Sequence, residues 1–141
     1  MASRTGRVDA PSADPAASPA ALVGLVALGG VVGSLGRYAI SLALAGVTGG
    51  APLATLAVNV LGCLAIGALL ALLDGSRGHQ RWRALLGTGV LGGFTTFSGF
   101  ALDTVDLVDS GAWLAAGGYL AITLLAGVFA PAAGRVLVRV R

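Results

Sequence analysis

Residues 87–103 read GTGVLGGFTTFSGFALD, and this stretch decides how the chain folds. It is apolar enough to enter a membrane, yet its middle holds Gly92, Gly93, Thr95 and Thr96. Glycine and β-branched residues weaken a helix, and hydroxyls offer the backbone other hydrogen-bond partners. We therefore predict a helix that is broken in mid-membrane. Irregular backbone at that depth is tolerated only beside protein or a water-filled path, so the break also indicates a functional site.

The composition of the whole chain is that of a membrane protein. Of its 141 residues, 56 % are apolar and only 11 % are charged, whereas soluble domains carry about 25 % charged residues. A single Cys and a single His exclude an intrachain disulfide and a Cys/His metal site. They also leave no set of nucleophile, base and orienting residue, so we do not expect an enzyme.

Four apolar blocks are long enough to cross a bilayer as helices, which takes about 20 residues. They cover about 21–45, 51–73, 84–106 and 110–134. None alternates polar and apolar residues as the strands of a membrane barrel would. The expected fold class is therefore all-α integral membrane, with four transmembrane helices and the third one broken. Residues 1–20 are rich in Ala, Pro, Ser and Asp, and we predict a disordered N-terminal tail.

One alternative concerns the first block. Residues 1–45 could be a secretory signal that is cleaved after the sequence Ala43, Leu44, Ala45. The apolar region would be unusually long for a signal, and Arg37 would lie between it and the cleavage site. A first transmembrane helix is the better interpretation.

The basic residues are all arginines, and they lie on one side of the predicted helices. Eight of the nine fall in the N-terminal tail, in the loop between the second and third spans, or at the C-terminus. The two opposite loops, around residues 46–50 and 103–110, hold no basic residue and three Asp, which are Asp103, Asp106 and Asp109. The positive-inside rule therefore predicts a multi-pass protein of the cell membrane with both termini in the cytoplasm.

Most polar side chains expected inside the membrane are hydrogen-bond donors. Arg37 is the only charged residue of the first span, and it either attracts an anion or makes a structural contact. Asn59 lies on a polar stripe with Thr55 and Cys63, and it would either join helices or present donors to an anion. We expect no carboxylate inside the membrane, which disfavours proton coupling and favours an anion.

Aromatic and hydroxyl side chains extend this lining. Phe97 and Phe100 flank the break, and the electropositive edges of their rings can face an anion. Tyr119 and Thr123 are four residues apart and form a hydroxyl track on the fourth span. Each group alone is more often a packing residue, but together they favour a path for an anion.

Three strings resemble the CrcB/Fluc family of small fluoride channels. They are GGVVGSLGRY (29–38), TLAVNVLG (55–62) and GGFTTFSGF (92–100), and the resemblance covers all four spans in order. It implies an antiparallel, dual-topology dimer that exports fluoride passively from the cytoplasm and so relieves fluoride toxicity. It also implies a structural sodium ion (Na+) at the dimer centre, with no organic cofactor and no nucleic-acid partner.

The resemblance further implies which residues form the site. The fluoride pathway would comprise Asn59, Phe97, Phe100, Ser98, Thr96, Tyr119 and Thr123. The backbone carbonyls of Gly92 and Thr95 would hold the sodium ion, and Arg37 would attract the anion or support the structure.

The sequence departs from the family in two places and in its charge. Gly99 stands where the family often has Thr, and Cys63 and Leu64 stand where Ser-Phe is frequent. An antiparallel homodimer needs a chain that inserts both ways, but the arginines are distributed eight to none. We therefore expect the second subunit to be an oppositely oriented homologue rather than a second copy.

Two other functions stay open from the sequence. A non-conducting or half-pore subunit of a heterodimeric fluoride channel would fit the charge bias. A small coupled exporter fits less well, because exporters of the multidrug kind rely on a carboxylate in the first span, and this chain has none there.

Overall fold

The computed structural model describes residues 18–48, 51–74 and 79–140, and it is built from helices. These are α1 (Pro19–Thr48), α2 (Ala51–Leu72), α3 (80–94), α4 (Phe97–Asp109) and α5 (Trp113–Arg139). α3 and α4 together form one span, so the described residues include four segments long and apolar enough to cross a membrane. The all-α fold with four spans and a broken third one is confirmed. Residues 1–17 of the predicted tail lie outside the described part.

α3 changes its geometry along its length. It is α-helical over Gln80–Trp82, π-helical over Arg83–Leu91 and α-helical again over Gly92–Phe94. π-Helices are rare, mostly limited to one turn, and frequent at functional sites. Here the wide turns include Gly89, where a Cβ would come within 2.9 Å of the Gly29 Cα, so the missing side chain keeps the broadened helix compatible with a close neighbour.

The seam between α1 and α3 is a contact of backbone on backbone. A Cβ on Gly29 would come within 2.8 Å of the Val90 nitrogen, and a Cβ on Gly33 would overlap the Val90 carbonyl oxygen. Small residues four positions apart allow this close approach of the two backbones. In lipid the hydrophobic effect does not drive helices together, so close packing of this kind drives their association. This contact of Gly29 and Gly33 with Val90, the α1–α3 seam, fixes the position of α3 along the axis of α1.

A second seam of the same kind joins α2 to α5. A Cβ on Gly67 would overlap the backbone of Pro131, and a Cβ on Gly134 would overlap the carbonyl of Leu64. Pro131 lies inside α5 and has no N–H to donate. The two seams pair α1 with α3 and α2 with α5, and Val58 of α2 is fully buried between them.

Charged side chains join helix ends on one side of the bundle. The Arg83 Nη2 donates to the Leu73 carbonyl at the end of α2, at 3.1 Å. Arg139 at the end of α5 lies 3.5 Å from Asp74. The ends of α2 and α5 and the start of α3 therefore lie on one side, as an up-and-down arrangement of four spans requires.

Most of the apolar surface is left uncovered by the chain itself. Only 11–22 % of each span's most apolar window is buried within the subunit. The remaining surface is available for lipid or another protein.

Candidate functional site

The break in the third span is two extended residues, Thr95 and Thr96 (φ −76°, ψ 158° and φ −146°, ψ 124°). Both threonine hydroxyls close a helix end. Thr95 Oγ1 donates to the Leu91 carbonyl at 3.0 Å, and Thr96 Oγ1 accepts from the Gly99 N–H at 3.1 Å as the N-cap of α4. The hydroxyls thus offer the backbone the alternative partners that the sequence predicts.

Asn59 of α2 clamps the break through both ends of its amide. Its Nδ2 donates to the Thr96 carbonyl at 2.9 Å, and its Oδ1 accepts from the Thr96 N–H at 2.8 Å. An Asn amide carries two N–H groups, so one N–H is left for another acceptor. The side chain therefore joins helices and retains a donor, which combines the two interpretations that the sequence left open.

The clamp and the cap release two backbone carbonyls from helical bonding. Because the Thr96 N–H is bound to Asn59, the Gly92 carbonyl loses the donor four residues ahead that a continuing helix would supply. Because the Gly99 N–H is bound to Thr96 Oγ1, the Thr95 carbonyl loses its donor in the same way. Oxygen ligands of this kind suit a hard cation. Among the described residues no group of three or more His, Cys, Asp or Glu could hold a metal ion.

A row of rings starts beside the break. The ring centroids of Phe97 and Phe100 are 5.7 Å apart, and those of Phe100 and Tyr119 are 5.5 Å apart, all tilted relative to one another. Phe97 is 80 % exposed, whereas Phe100 and Tyr119 are buried. The row thus runs from the subunit surface into its interior and joins α4 to α5.

The inner end of the row is a carboxyl group that sequence reasoning missed. Tyr119 donates its hydroxyl to Asp103 Oδ2 at 3.1 Å, and Asp103 is buried. We placed Asp103 in a loop, and this placement was wrong. α4 continues to Asp109, so Asp103 lies on the helix, three residues after Phe100. The spacing 97, 100, 103 was the signal, because it is that of one helix face.

The remaining predicted pathway residues supply hydroxyls. Thr96 Oγ1 and Ser98 Oγ are 3.2 Å apart at the exposed start of α4. Thr123 lies one turn after Tyr119 on α5, and its Oγ1 is buried without a hydrogen-bond partner among the described residues. The structure brings Thr96 and Ser98 together beside Phe97, and it leaves the Thr123 hydroxyl free to donate.

Arg37 lies at a different part of the break. Its Nε donates to the Gly93 carbonyl at 3.3 Å, and Ser34 Oγ donates to the same oxygen at 3.4 Å. Both α1 side chains therefore bind the last turn of α3. The carbonyl of Gly93 thus accepts from α1, and that of Thr96 accepts from α2.

Gly99 gives the cap on α4 its space. A Cβ at this position would come within 2.9 Å of Thr96 Cγ2 and 3.6 Å of Thr55 Cγ2. A threonine here would need Thr96 to move. Glycine at position 99, where the family often has threonine, therefore leaves the space that the Thr96 side chain occupies.

Three known proteins with similar sequences share the name fluoride-specific ion channel. A fluoride-specific ion channel FluC from Paracoccus denitrificans (strain Pd 1222) is 49 % identical over 109 residues, covering 77 % of this chain and 87 % of that one. The relative FluC 2 from Nocardia farcinica (strain IFM 10152) is 45 % identical over 122 residues, 86 % of each chain. FluC 1 of Streptomyces coelicolor is 42 % identical over 133 residues, 90 % of this chain and 86 % of that one.

The family described as "CrcB-like protein, Camphor Resistance (CrcB)" matches residues 24–135, which cover two spans completely and most of the first and the last. The match extends over the break, the Asn59 clamp and the row of rings. This multi-pass membrane protein is a member of the CrcB-like family.

Proposed function

We propose that this chain is a subunit of a channel that lets fluoride leave the cytoplasm passively. The observation that carries the proposal is the row from Phe97 through Phe100 to Tyr119, which starts beside a break held open by Asn59. Three relatives bearing the name fluoride-specific ion channel support it. A membrane potential that is negative inside drives anions outward, so export needs no coupling.

The chemistry of the row suits a small, strongly hydrated anion. Ring edges carry partial positive charge, and the free N–H of Asn59 and the hydroxyls of Ser98 and Thr123 can replace water. A narrow path lined in this way admits fluoride and rejects the larger chloride. Asp103 disfavours an anion when it is ionised, and its bond to Tyr119 holds it at the end of the row away from Phe97.

A sodium ion fits the two released carbonyls at the break. Gly92 and Thr95 would contribute backbone oxygens, in keeping with the preference of hard cations for oxygen ligands. The ion would supply a fixed positive charge between the ends of α3 and α4. Asn59 and Thr96 keep those oxygens available by occupying the N–H groups that would otherwise bind them.

A second subunit would cover the break. Phe97 is 80 % exposed and Ser98 is exposed beside irregular backbone, and at membrane depth such backbone needs protein or water around it. The arginine distribution of eight to none favours insertion with both termini in the cytoplasm. The partner proposed is therefore an oppositely oriented homologue.

The same charge bias favours one alternative, a non-conducting partner subunit. In that assembly the homologue would carry the fluoride path. Substitutions of Asn59 or Phe97 in this chain would then leave the flux unchanged.

The test is ion efflux from liposomes, with fluoride and chloride measured in parallel. We expect the chain reconstituted with an oppositely oriented homologue to release fluoride and not chloride. Phe97→Ile should lower the fluoride rate by about tenfold, which corresponds to about 1.4 kcal/mol in the barrier. Phe129→Ile is the matched control, because Phe129 is 64 % exposed on α5 and takes no part in the ring row.

Three outcomes separate the interpretations. Fluoride efflux from the chain alone would replace the heterodimer by a self-sufficient channel. Full flux in the assembly with Phe97→Ile would support the non-conducting subunit. Equal rates for fluoride and chloride, or no efflux with any partner, would contradict the fluoride channel.

A further inference from the structure

We propose that Arg37 is a positioning residue that caps the carbonyl end of α3 from the neighbouring helix, and that its charge is not what attracts the anion. The proposal concerns how the break keeps its shape. It rests on the proposed function only for the part of its test that measures conduction.

The contact itself is that of a helix C-cap. Arg37 Nε and Ser34 Oγ both donate to the carbonyl of Gly93, at 3.3 and 3.4 Å, and both contacts are partly buried. A helix leaves its last four carbonyls without donors from within the helix. A basic side chain near that end can bind them and complement the negative end of the helix dipole. Here the cap comes from α1 because α3 stops at Phe94 and α4 starts only at Phe97.

The α1–α3 seam explains why Arg37 reaches this carbonyl. A Cβ on Gly93 would come within 2.5 Å of the Gly30 carbonyl oxygen, and a Cβ on Gly33 would come within 2.8 Å of the Phe94 nitrogen. The backbones therefore touch over the turn that precedes Arg37. One turn further along α1, a long side chain lies directly against the last turn of α3.

Fixing the Gly93 carbonyl also constrains its neighbours. The Gly92 carbonyl, released by the Asn59 clamp, belongs to the peptide group next to that of Gly93, and the Thr95 carbonyl, released by the Thr96 cap, lies two residues further along. Adjacent peptide groups share a Cα and are each planar, so holding one of them limits the rotation of the next. Arg37 and Asn59 thus hold the break from its two sides, Arg37 on α3 and Asn59 on Thr96.

The chain offers a clean way to separate donor from charge. In Arg37→Gln the Nε2 atom stands the same number of bonds from the backbone as the Nε of arginine, so the donor is kept and the charge is removed. Arg37→Met has a similar length with neither donor nor charge, and it is the matched control. Both variants are made in the full chain and reconstituted in whichever assembly conducts for the unaltered protein.

If Arg37 acts as a cap, Arg37→Gln should preserve the contact with the Gly93 carbonyl and Arg37→Met should lose it. We expect fluoride efflux of Arg37→Gln to stay within about threefold of the unaltered chain and that of Arg37→Met to fall by about tenfold or more. The midpoint of thermal unfolding should follow the same order. The sodium concentration that gives half-maximal flux should rise in Arg37→Met. It should be unchanged or lower in Arg37→Gln, because removing a nearby positive charge does not weaken cation binding.

The proposal is overturned if Arg37→Gln tracks Arg37→Met in flux and thermal midpoint, because the charge would then be the feature that matters. It is also overturned if neither variant folds, since the donor alone would be insufficient. Silence of the unaltered chain in every assembly would be a failure of the proposed channel instead. The order of the two thermal midpoints would still decide the cap.

Discussion

Gly29 and Gly33 of α1 and Gly117 and Gly118 of α5 look alike in the sequence and behave in opposite ways in the structure. On α1, a Cβ at Gly29 or Gly33 would strike the backbone of α3. On α5, Gly117 and Gly118 have nothing within 4 Å of an added Cβ. A small residue in an apolar helix therefore indicates a possible close approach, and only the neighbouring helix decides whether the approach takes place.

The two groups of glycines also differ in what they contribute to the stability of the break. The α1 glycines hold α3 at a fixed height, on which the Arg37 contact with Gly93 depends. Gly117 and Gly118 of α5 have no close neighbour within the chain and contribute no such contact. Replacing Gly29 or Gly33 should therefore disturb the break, whereas replacing Gly117 or Gly118 should leave it unchanged.

The largest effect is expected for Gly33→Ala. Its Cβ would overlap the Val90 carbonyl oxygen, and neither backbone can move without opening the α1–α3 seam. We expect a loss of about 3 kcal/mol in the free energy of unfolding, measured by thermal or chemical unfolding in detergent. Gly24→Ala is the control on the same helix, since a Cβ there meets nothing within 4 Å. Equal stability of the two variants would mean that the seam is not this close.

An intermediate effect is expected for Gly99→Ala. Its Cβ would come within 2.9 Å of Thr96 Cγ2, which is the end of a side chain and can move at some expense of its cap. We expect a loss of about 1 kcal/mol in unfolding free energy, together with a lower fluoride rate.

Thr96→Ser should rescue the Gly99→Ala variant. The substitution removes Cγ2 and keeps the oxygen that accepts from residue 99. A double-mutant cycle on thermal midpoints measures this coupling. Additive losses from the two substitutions would argue against the steric explanation.

The smallest effect is expected for Gly117→Ala. Alanine favours a helix over glycine by up to about 1 kcal/mol, and the added methyl meets nothing within the subunit. The thermal midpoint of the isolated chain should therefore stay level or rise slightly. A fall in that midpoint which grows with protein concentration would place a second chain against this face, and would bring Gly117 into the same class as Gly33.

Much of the fold follows from sequence alone because lipid imposes a simple rule. A backbone in hydrocarbon has to satisfy its own polar groups, so long apolar blocks become helices, and their number and order could be predicted. The break was predictable at Thr95 and Thr96 because their hydroxyls compete with the helical bonds, as their contacts with Leu91 and Gly99 illustrate. Asn59 could be singled out as the amide on the polar stripe of an otherwise apolar helix.

The tertiary structure decided what each of these groups binds. Sequence spacing could not say that Asn59 clamps Thr96 or that Arg37 reaches Gly93, because both contacts join residues more than thirty positions apart. Nor could it bury Asp103 against Tyr119, since that required α4 to extend beyond Leu102 and α5 to pack beside it. Local preferences determine where a chain becomes helical and where it breaks. Only the packing of helices at backbone distance determines which donors meet which carbonyls.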